Sequence, residues 1–77
     1  MAQILIVDDE AAIADLVEIC LKNEGYQVHK CYNAHDALDC VARCPLDLAI
    51  LDVMLPDMAG FALCQKIRDR PLFPILV

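Results

Sequence analysis

Acidic side chains stand directly after two short apolar runs of this 77-residue chain: Asp8 and Asp9 follow residues 3–7, and Asp52 follows residues 48–51. Carboxylates brought together repel one another, so such a cluster is tolerated mainly when it holds a hard cation or keeps one group protonated. Mg²⁺ suits an all-oxygen set of this kind, since it prefers octahedral oxygen ligands and retains several waters. A backbone carbonyl just after Asp52 would add a ligand, with Asp8 reaching the metal through water.

The nitrogen and sulfur side chains do not suggest a metal site of their own. His29 and His35 have no second ligand at a spacing typical of zinc sites, which predicts surface positions for both. The five cysteines are odd in number and include no C-x-x-C pair. Four of them fall on or beside apolar faces, so we expect reduced and mostly buried thiols.

Composition limits the class of protein. The chain is long enough for one domain at most, because single domains commonly run to roughly 100–150 residues. Its net charge of −6 argues against a nucleic-acid surface, which needs clustered Lys and Arg. No apolar run approaches the roughly 18–20 residues that cross a bilayer, and the amino terminus lacks the features of a secretory signal. These observations predict a cytoplasmic protein.

Strands and helices alternate along the chain. The runs at 3–7 and 48–51 are apolar throughout, as expected of strands buried on both faces. An apolar stripe at helical spacing predicts a first helix that ends at Gly25, and its members are Ile13, Leu16, Val17, Cys20 and Leu21. The remaining predicted elements are a less buried strand at 27–32, a helix capped by Asn33 that ends before Pro45, a helix from Gly60 to about Arg68–Arg70, and a strand that begins at 73–77.

This βαβαβαβ order predicts an α/β fold, in which a parallel sheet carries helices on both faces through right-handed crossovers. In doubly wound sheets the ligand site lies outside the carboxyl ends of the strands, where the strand order reverses. If the first and third strands are neighbours, Asp8, Asp9 and Asp52 meet at that edge.

Three motifs in this order resemble the receiver domain of two-component response regulators. They are the run Ile4–Glu10, the run Leu48–Asp52, and the spacing Asp52-x-x-x-Pro56-x-x-x-Gly60. The likeness is greatest to transcriptional regulators of the OmpR/PhoB type, and in IADLVEICLKNEGY and CQKIRD to the vancomycin-resistance regulators. The resemblance implies a flavodoxin-like doubly wound sheet of order 2-1-3-4, as far as this chain extends, in an incomplete three-layer sandwich.

The resemblance also implies the function. Asp52 would be the phosphoryl acceptor, taking the group from a sensor histidine kinase, while Asp8 and Asp9 bind Mg²⁺ and Met54 lends its backbone carbonyl. The attacking carboxylate gives a labile acyl phosphate, which suits a transient signal, and the protein is a signalling domain rather than an enzyme. Residues 1–77 would form the first two-thirds of a receiver domain, and contact with DNA would need an effector domain that these residues do not include.

Several departures and alternatives accompany this interpretation. The receiver family places a Ser or Thr after the fourth strand and a Lys after the fifth, both beyond Val77. Ala59 stands where family members often carry a residue that caps the third helix. Asp57 could take that capping role instead. A fragment that only binds metal or a partner remains an alternative, as does a magnesium-dependent phosphohydrolase with an aspartate nucleophile. The phosphohydrolase predicts a second acid at position 54, which is Met54. A chain that truly ends at Val77 would also self-associate through its open strand edge.

Overall fold

The computed structural model describes residues 2–68 and 74–76. Its elements are β1 (Gln3–Val7), α1 (Ala11–Asn23), β2 (Gln27–Cys31), α2 (Ala34–Arg43), β3 (Leu48–Leu51), α3 (Gly60–Arg68) and β4 (Ile75–Leu76). The four strands form one parallel sheet in the order β2-β1-β3-β4. The predicted α/β class and strand order are therefore confirmed. The described part of the predicted fourth strand is β4 at Ile75–Leu76, and the predicted positions 73 and 77 lie outside the described residues.

The register of β1 determines where the strands end. Val7 pairs with Cys31 of β2 on one side and with Leu51 of β3 on the other. All three strands therefore end at one level, and the residue after each of them emerges at the same edge of the sheet. This is the edge at which parallel sheets of this topology place their ligand sites.

The core lies in two layers, one on each face of the sheet. The larger cluster packs α2 and α3 against one face, and its members include Leu5, Val7, Leu63 and Ile67. The smaller cluster packs α1 against the other face through Ala14, with Ile4 and Ile6 from β1. The result is the three-layer arrangement expected of alternating strands and helices.

The buried face of α1 differs from the predicted stripe. Ala14 is fully buried, with Val17 and Leu21 half-buried beside it, whereas Ile13 and Leu16 are exposed. The apolar arc of this helix is wider than the surface that β1 and β2 offer, so hydropathy alone does not reveal which part of the arc is covered.

An ion-pair cluster connects α1 to β2. The Lys30 ammonium of β2 lies 2.6 Å from Asp15 and 3.1 Å from Glu18, both on α1. Hydrogen bonds to these carboxylates raise the pKa of Lys30 above its usual value. These contacts join the side of α1 that carries Asp15 and Glu18 to β2.

The helix ends follow their sequence signals. Gly25 adopts a φ of 91°, and the N–H groups of Gly25 and Tyr26 donate to the carbonyls of Lys22 and Leu21, which is a Schellman motif. The Asn33 side chain caps α2 by accepting from the Asp36 N–H at 2.8 Å. No helix in the described part of the chain has the length and apolar character needed to cross a membrane.

Candidate metal centre

The fold brings the three predicted acids together. Asp8 and Asp9 follow β1 and Asp52 follows β3, and each offers a carboxylate oxygen within 4.8 Å of the other two. Asp8 and Asp52 are half-buried and Asp9 is exposed. A set of three carboxylates this close together has the donor atoms and the access to solvent that a hydrated Mg²⁺ ion requires.

Backbone hydrogen bonds fix where these side chains leave the sheet. The Asp8 N–H donates to the Cys31 carbonyl at 3.1 Å, and the Asp52 N–H donates to the Val7 carbonyl at 2.8 Å. The Asp8 carboxylate in turn accepts from the Glu10 N–H at 2.9 Å, which holds the turn into α1. Asp8 and Asp52 are thus anchored by the strand ladder rather than carried on a free loop.

The segment from 53 to 59 closes on itself beside Asp52. Met54 pairs with Ala59 as an isolated antiparallel bridge, and the Gly60 N–H donates to the Val53 carbonyl at 2.7 Å. The Met54 N–H lies 3.5 Å from the Asp52 carboxylate, so Met54 borders the acid cluster.

Gly60 allows this closure. A Cβ atom at this position would overlap the Asp52 carbonyl oxygen and lie 3.0 Å from both the Asp52 carbonyl carbon and the Val53 Cα. The start of α3 therefore touches the backbone of Asp52 itself, which explains the physical need for glycine in the spacing from Asp52 to Gly60.

Asp57 was suggested as a cap for α3, but its side chain contacts α2 instead. Its carboxylate accepts from the backbone N–H groups of Ala34 at 2.8 Å and His35 at 3.0 Å, at the start of α2. These bonds, that from Ala34 foremost, lower the pKa of Asp57 below its ordinary 3.8. The prediction was wrong because the loop carries Asp57 across to α2, whose first turn presents unpaired N–H groups to a carboxylate.

A second group of metal-ligating side chains was missed by the sequence reasoning. His29, Cys40 and Cys44 bring one nitrogen and two sulfur atoms within 4.8 Å of one another, and His29 is half-buried rather than on the surface. Burial, with the neighbouring Cys44 thiol, raises the pKa of Cys40 to about 12. The five cysteines all lie in the described residues and are free, as predicted, although Cys20 is exposed. The one signal in the sequence was the pair of cysteines four positions apart at 40 and 44.

Comparison with known proteins identifies the family. The model of the response regulator receiver domain matches residues 4–77. This chain belongs to that family. The receiver domain is 57% identical over 75 residues to the regulatory protein VanR of Enterococcus faecium, which agrees with the likeness to vancomycin-resistance regulators found in the sequence. The match covers 97% of this chain and 32% of VanR, so the chain spans about a third of that relative.

Solved structures agree with the fold of the receiver domain. A two-component response regulator from Clostridium difficile superimposes with a TM-score of 0.95 at 29% identity, covering 97% of this chain and 62% of that one. The response regulator TrrA matches in two crystal structures. In complex with the histidine kinase ThkA it gives a TM-score of 0.91 at 34% identity, covering 97% of this chain and 66% of that one. TrrA from Thermotoga maritima in complex with Mg²⁺ and BeF gives a TM-score of 0.86 at 36% identity, covering 90% of this chain and 60% of that one.

Proposed function

We propose that this receiver domain accepts a phosphoryl group on Asp52 from a sensor histidine kinase, with Mg²⁺ held by Asp8, Asp9, Asp52 and the backbone carbonyl of Met54. The observation that carries the proposal is the meeting of three carboxylates, within 4.8 Å, at the carboxyl ends of β1 and β3 in a chain of the receiver family. A complex of a similar response regulator with Mg²⁺ and BeF supports the choice of cation.

Each acid has its own part in this chemistry. Asp52 is the nucleophile, and its backbone, held by Val7 and packed against Gly60, keeps the carboxylate at one position. Asp8 and Asp9 supply negative charge that attracts a cation to the edge of the sheet. When bound, Mg²⁺ offsets the repulsion between the carboxylate and the anionic phosphoryl group.

The kinase partner is inferred from the family and from a related complex. TrrA, 34% identical to this chain, has been crystallised with the histidine kinase ThkA. We infer that this domain likewise takes its phosphoryl group from a histidine kinase and performs no turnover of its own. Binding to DNA would belong to parts of the protein outside residues 1–77, since this span has a net charge of −6 and covers about a third of VanR.

Intact mass spectrometry after incubation with acetyl phosphate and Mg²⁺ tests the acceptor. The unchanged chain should gain one phosphoryl group, and Asp52→Asn should gain none, because the amide is nearly isosteric but not nucleophilic. The matched control is Asp39→Asn, an exposed aspartate on α2 whose hydrogen bond to Arg43 uses its backbone carbonyl, and it should gain the group normally. Asp9→Ala should require more Mg²⁺ for the same gain.

Three outcomes would contradict the proposal. A phosphoryl group retained by Asp52→Asn would remove the acceptor assignment. Continuous release of phosphate from a phosphomonoester, with no mass gain, would favour the phosphohydrolase, although Met54 occupies the position of its second acid. Binding of Mg²⁺ without any mass gain, from acetyl phosphate or from a kinase, would favour a domain that only binds metal or a partner.

Self-association of residues 1–77 as an isolated polypeptide is a separate proposal. Leu16 and Ile19 of α1 are 62% and 57% exposed, and Leu76 of the edge strand β4 is 57% exposed. An apolar helix face and an open strand edge favour contact between copies, because soluble monomers rarely expose such surfaces together.

A further inference from the structure

A second set of side chains with metal-ligating chemistry lies on the α2 side of the sheet. His29 projects from β2, and Cys40 and Cys44 lie one turn apart at the end of α2. Their ligand atoms are all within 4.8 Å of one another. His29 pairs with Leu5 in the middle of β1, two positions before the strand ends near the aspartate cluster. The two sets therefore draw on different parts of the sheet and share no residue.

The backbone of α2 stacks the two thiols. Cys44 follows the last helical residue, and its N–H donates to the Cys40 carbonyl at 2.8 Å. This bond closes the final turn, so both cysteines point from the same face of the helix, as residues four apart do. Cys40 is buried and Cys44 half-buried, which keeps the pair close to β2.

A hydrogen bond to Gln3 orients the imidazole of His29. The Nε2 atom lies 2.8 Å from the Gln3 Oε1 atom, an amide oxygen that can only accept, so Nε2 carries the hydrogen. The Nδ1 atom then presents a lone pair, and it lies 4.0 Å from the Cys44 Sγ atom. Metal-binding histidines are commonly held in this way, with the second ring nitrogen donating to an oxygen.

The surroundings of these three residues leave room for an ion and a fourth ligand. A cavity of about 340 Å³ adjoins them, and its lining includes Cys31 and Asp36. The two bases beside it have partners elsewhere: Lys30 contacts Asp15 and Glu18 on α1, and Arg43 Nε donates to the Asp39 carbonyl at 3.4 Å.

We propose that His29, Cys40 and Cys44 bind a thiophilic divalent cation of the zinc class at a site separate from the three aspartates. Two sulfurs and one imidazole nitrogen are ligands that Zn²⁺ favours and that Mg²⁺ does not. In a tetrahedral zinc site with Zn–S bonds of about 2.3 Å, neighbouring ligand atoms are roughly 3.8 Å apart. Because all three ligand atoms lie within 4.8 Å of one another, and His29 Nδ1 is 4.0 Å from Cys44 Sγ, binding requires the separations to contract by at most about 1 Å. Each thiol releases its proton to water as the sulfur binds.

The histidine favours a metal over a disulfide as the purpose of the cluster. A bond between Cys40 and Cys44 would need an oxidant and would make no use of an imidazole lone pair. The His29–Gln3 hydrogen bond instead directs that lone pair toward the sulfur of Cys44. The arrangement thus supplies three donor atoms from two elements that the core already packs together.

Titration with Co²⁺ under reducing conditions tests the site, with the full chain as the sample. One equivalent should bind with a thiolate-to-cobalt charge-transfer band, which carboxylates cannot produce, and Zn²⁺ should displace it while excess Mg²⁺ should not. Cys40→Ser and Cys44→Ser should each lower the affinity by more than about 100-fold, beyond the 10–100-fold cost of losing only an outer-shell partner. His29→Gln should lower it in the same way without touching either thiol.

Matched variants make the result specific. Cys20→Ser and Cys64→Ser remove thiols outside the cluster and should leave the affinity unchanged, as should Asp52→Asn. Circular dichroism of each variant checks its fold, and His29→Gln decides the question if a cysteine variant fails to fold. The proposal is overturned by equal affinity in the His29→Gln and unchanged chains, by a loss in Cys20→Ser, or by a reduced protein without the charge-transfer band.

Discussion

Asp57 connects the loop after the candidate acceptor to a different helix. Its two carboxylate oxygens accept from the Ala34 and His35 N–H groups, so it adds to the capping of α2 that Asn33 provides. The carboxylate also lies at the positive end of the α2 dipole. One residue thereby ties the segment that comes after Asp52 to the first turn of a neighbouring element.

Removal of this carboxylate should destabilise the domain in a pH-dependent way. The pKa of Asp57 is lower in the folded protein than its ordinary 3.8, so the folded state binds the proton less readily than the unfolded state. Its contribution to stability is complete above that ordinary value and is lost as the pH falls through the lower, folded value. Urea denaturation of Asp57→Ala should therefore give a lower midpoint than the unchanged chain at pH 7 and the same midpoint once the pH is below the folded pKa.

Asp39→Asn is the control, since that aspartate is exposed and its bond to Arg43 uses the backbone carbonyl rather than the carboxylate. It should leave the urea midpoint nearly unchanged at both pH values. A midpoint for Asp57→Ala equal to that of the unchanged protein at pH 7 would show that the two hydrogen bonds contribute nothing in solution.

For single residues, the sequence predicts which side chains stand at the end of each strand but not which groups a side chain meets across the fold. Asp8, Asp9 and Asp52 are predictable because each stands at a strand end, and parallel strands end at one edge. The meeting of His29 with Cys44 depends on how α2 lies over β2, and the partner of Asp57 depends on the path of a loop. Neither contact produces a periodic pattern in the amino-acid sequence.

The junction between β3 and α3 brings two backbone segments into direct contact beside the site. Gly60 contacts the Asp52 backbone, and the Val53 carbonyl accepts from the Gly60 N–H. A methyl group at Gly60 meets backbone atoms, which have no rotamer by which to move aside. The geometry at the end of β3 and the start of α3 are therefore set together.

Gly60→Ala should lower the free energy of unfolding by about 3 kcal/mol, at the upper end of the range for overpacked sites, because the backbone must shift. Phosphoryl gain from acetyl phosphate should fall as well, since the shift displaces Asp52. Urea denaturation and intact mass measure the two effects.

Gly25→Asn provides the comparison at the other glycine. A Cβ built there meets no neighbouring atom within 4 Å, and asparagine adopts positive φ at a lower cost than most side chains, so we expect only the backbone strain, a smaller loss of stability and normal phosphoryl gain. A loss for Gly60→Ala below about 1 kcal/mol, the lower limit for overpacked sites, would contradict the close contact with Asp52.

The boundaries of the helices and strands were largely predictable, whereas the side of α1 that faces the sheet was not. The strands at 3–7 and 48–51 agree residue for residue with the sequence pattern, because buried parallel strands are apolar throughout. The predicted stripe on α1 is confirmed at Val17 and Leu21, which pack against the core, but its other members are exposed: Ile13, Leu16 and Cys20. Lys30 of β2 forms ion pairs with Asp15 and Glu18 of α1 in the observed orientation of the helix. Ion pairs between two elements cannot be recognised from helical periodicity.

For the molecule as a whole, we expect the exposed apolar face of α1 to favour contact between copies. A polypeptide of residues 1–77 alone should associate at tens of micromolar, and light scattering over a dilution series should detect it. The double variant Leu16→Glu/Ile19→Glu should shift this polypeptide toward the monomer, because two charges would be buried in the contact. Gln65→Glu adds a charge at an exposed position of α3 and should not. A monomer at all concentrations would refute the proposal.

The alternation of strands and helices predicted the α/β class, whereas the strand order was predicted from the resemblance to receiver domains. Alternating strands and helices with short connections leave few arrangements of a parallel sheet, and handedness removes most of the rest. In the observed order β2-β1-β3-β4, β1 lies inside the sheet and pairs with β2 on one side and with β3 on the other.

The pairing of β1 with β3 has a consequence for how the protein folds. Asp8 and Asp52 are 44 positions apart, and they become neighbours only when Val7 pairs with Leu51. No short stretch of the unfolded chain contains the three-carboxylate site, so an ion that binds it binds the folded state alone. Such an ion at a hundred times its dissociation constant would stabilise the fold by about 2.7 kcal/mol. For the proposed ion, cation concentration and folding would thus form a single linked equilibrium.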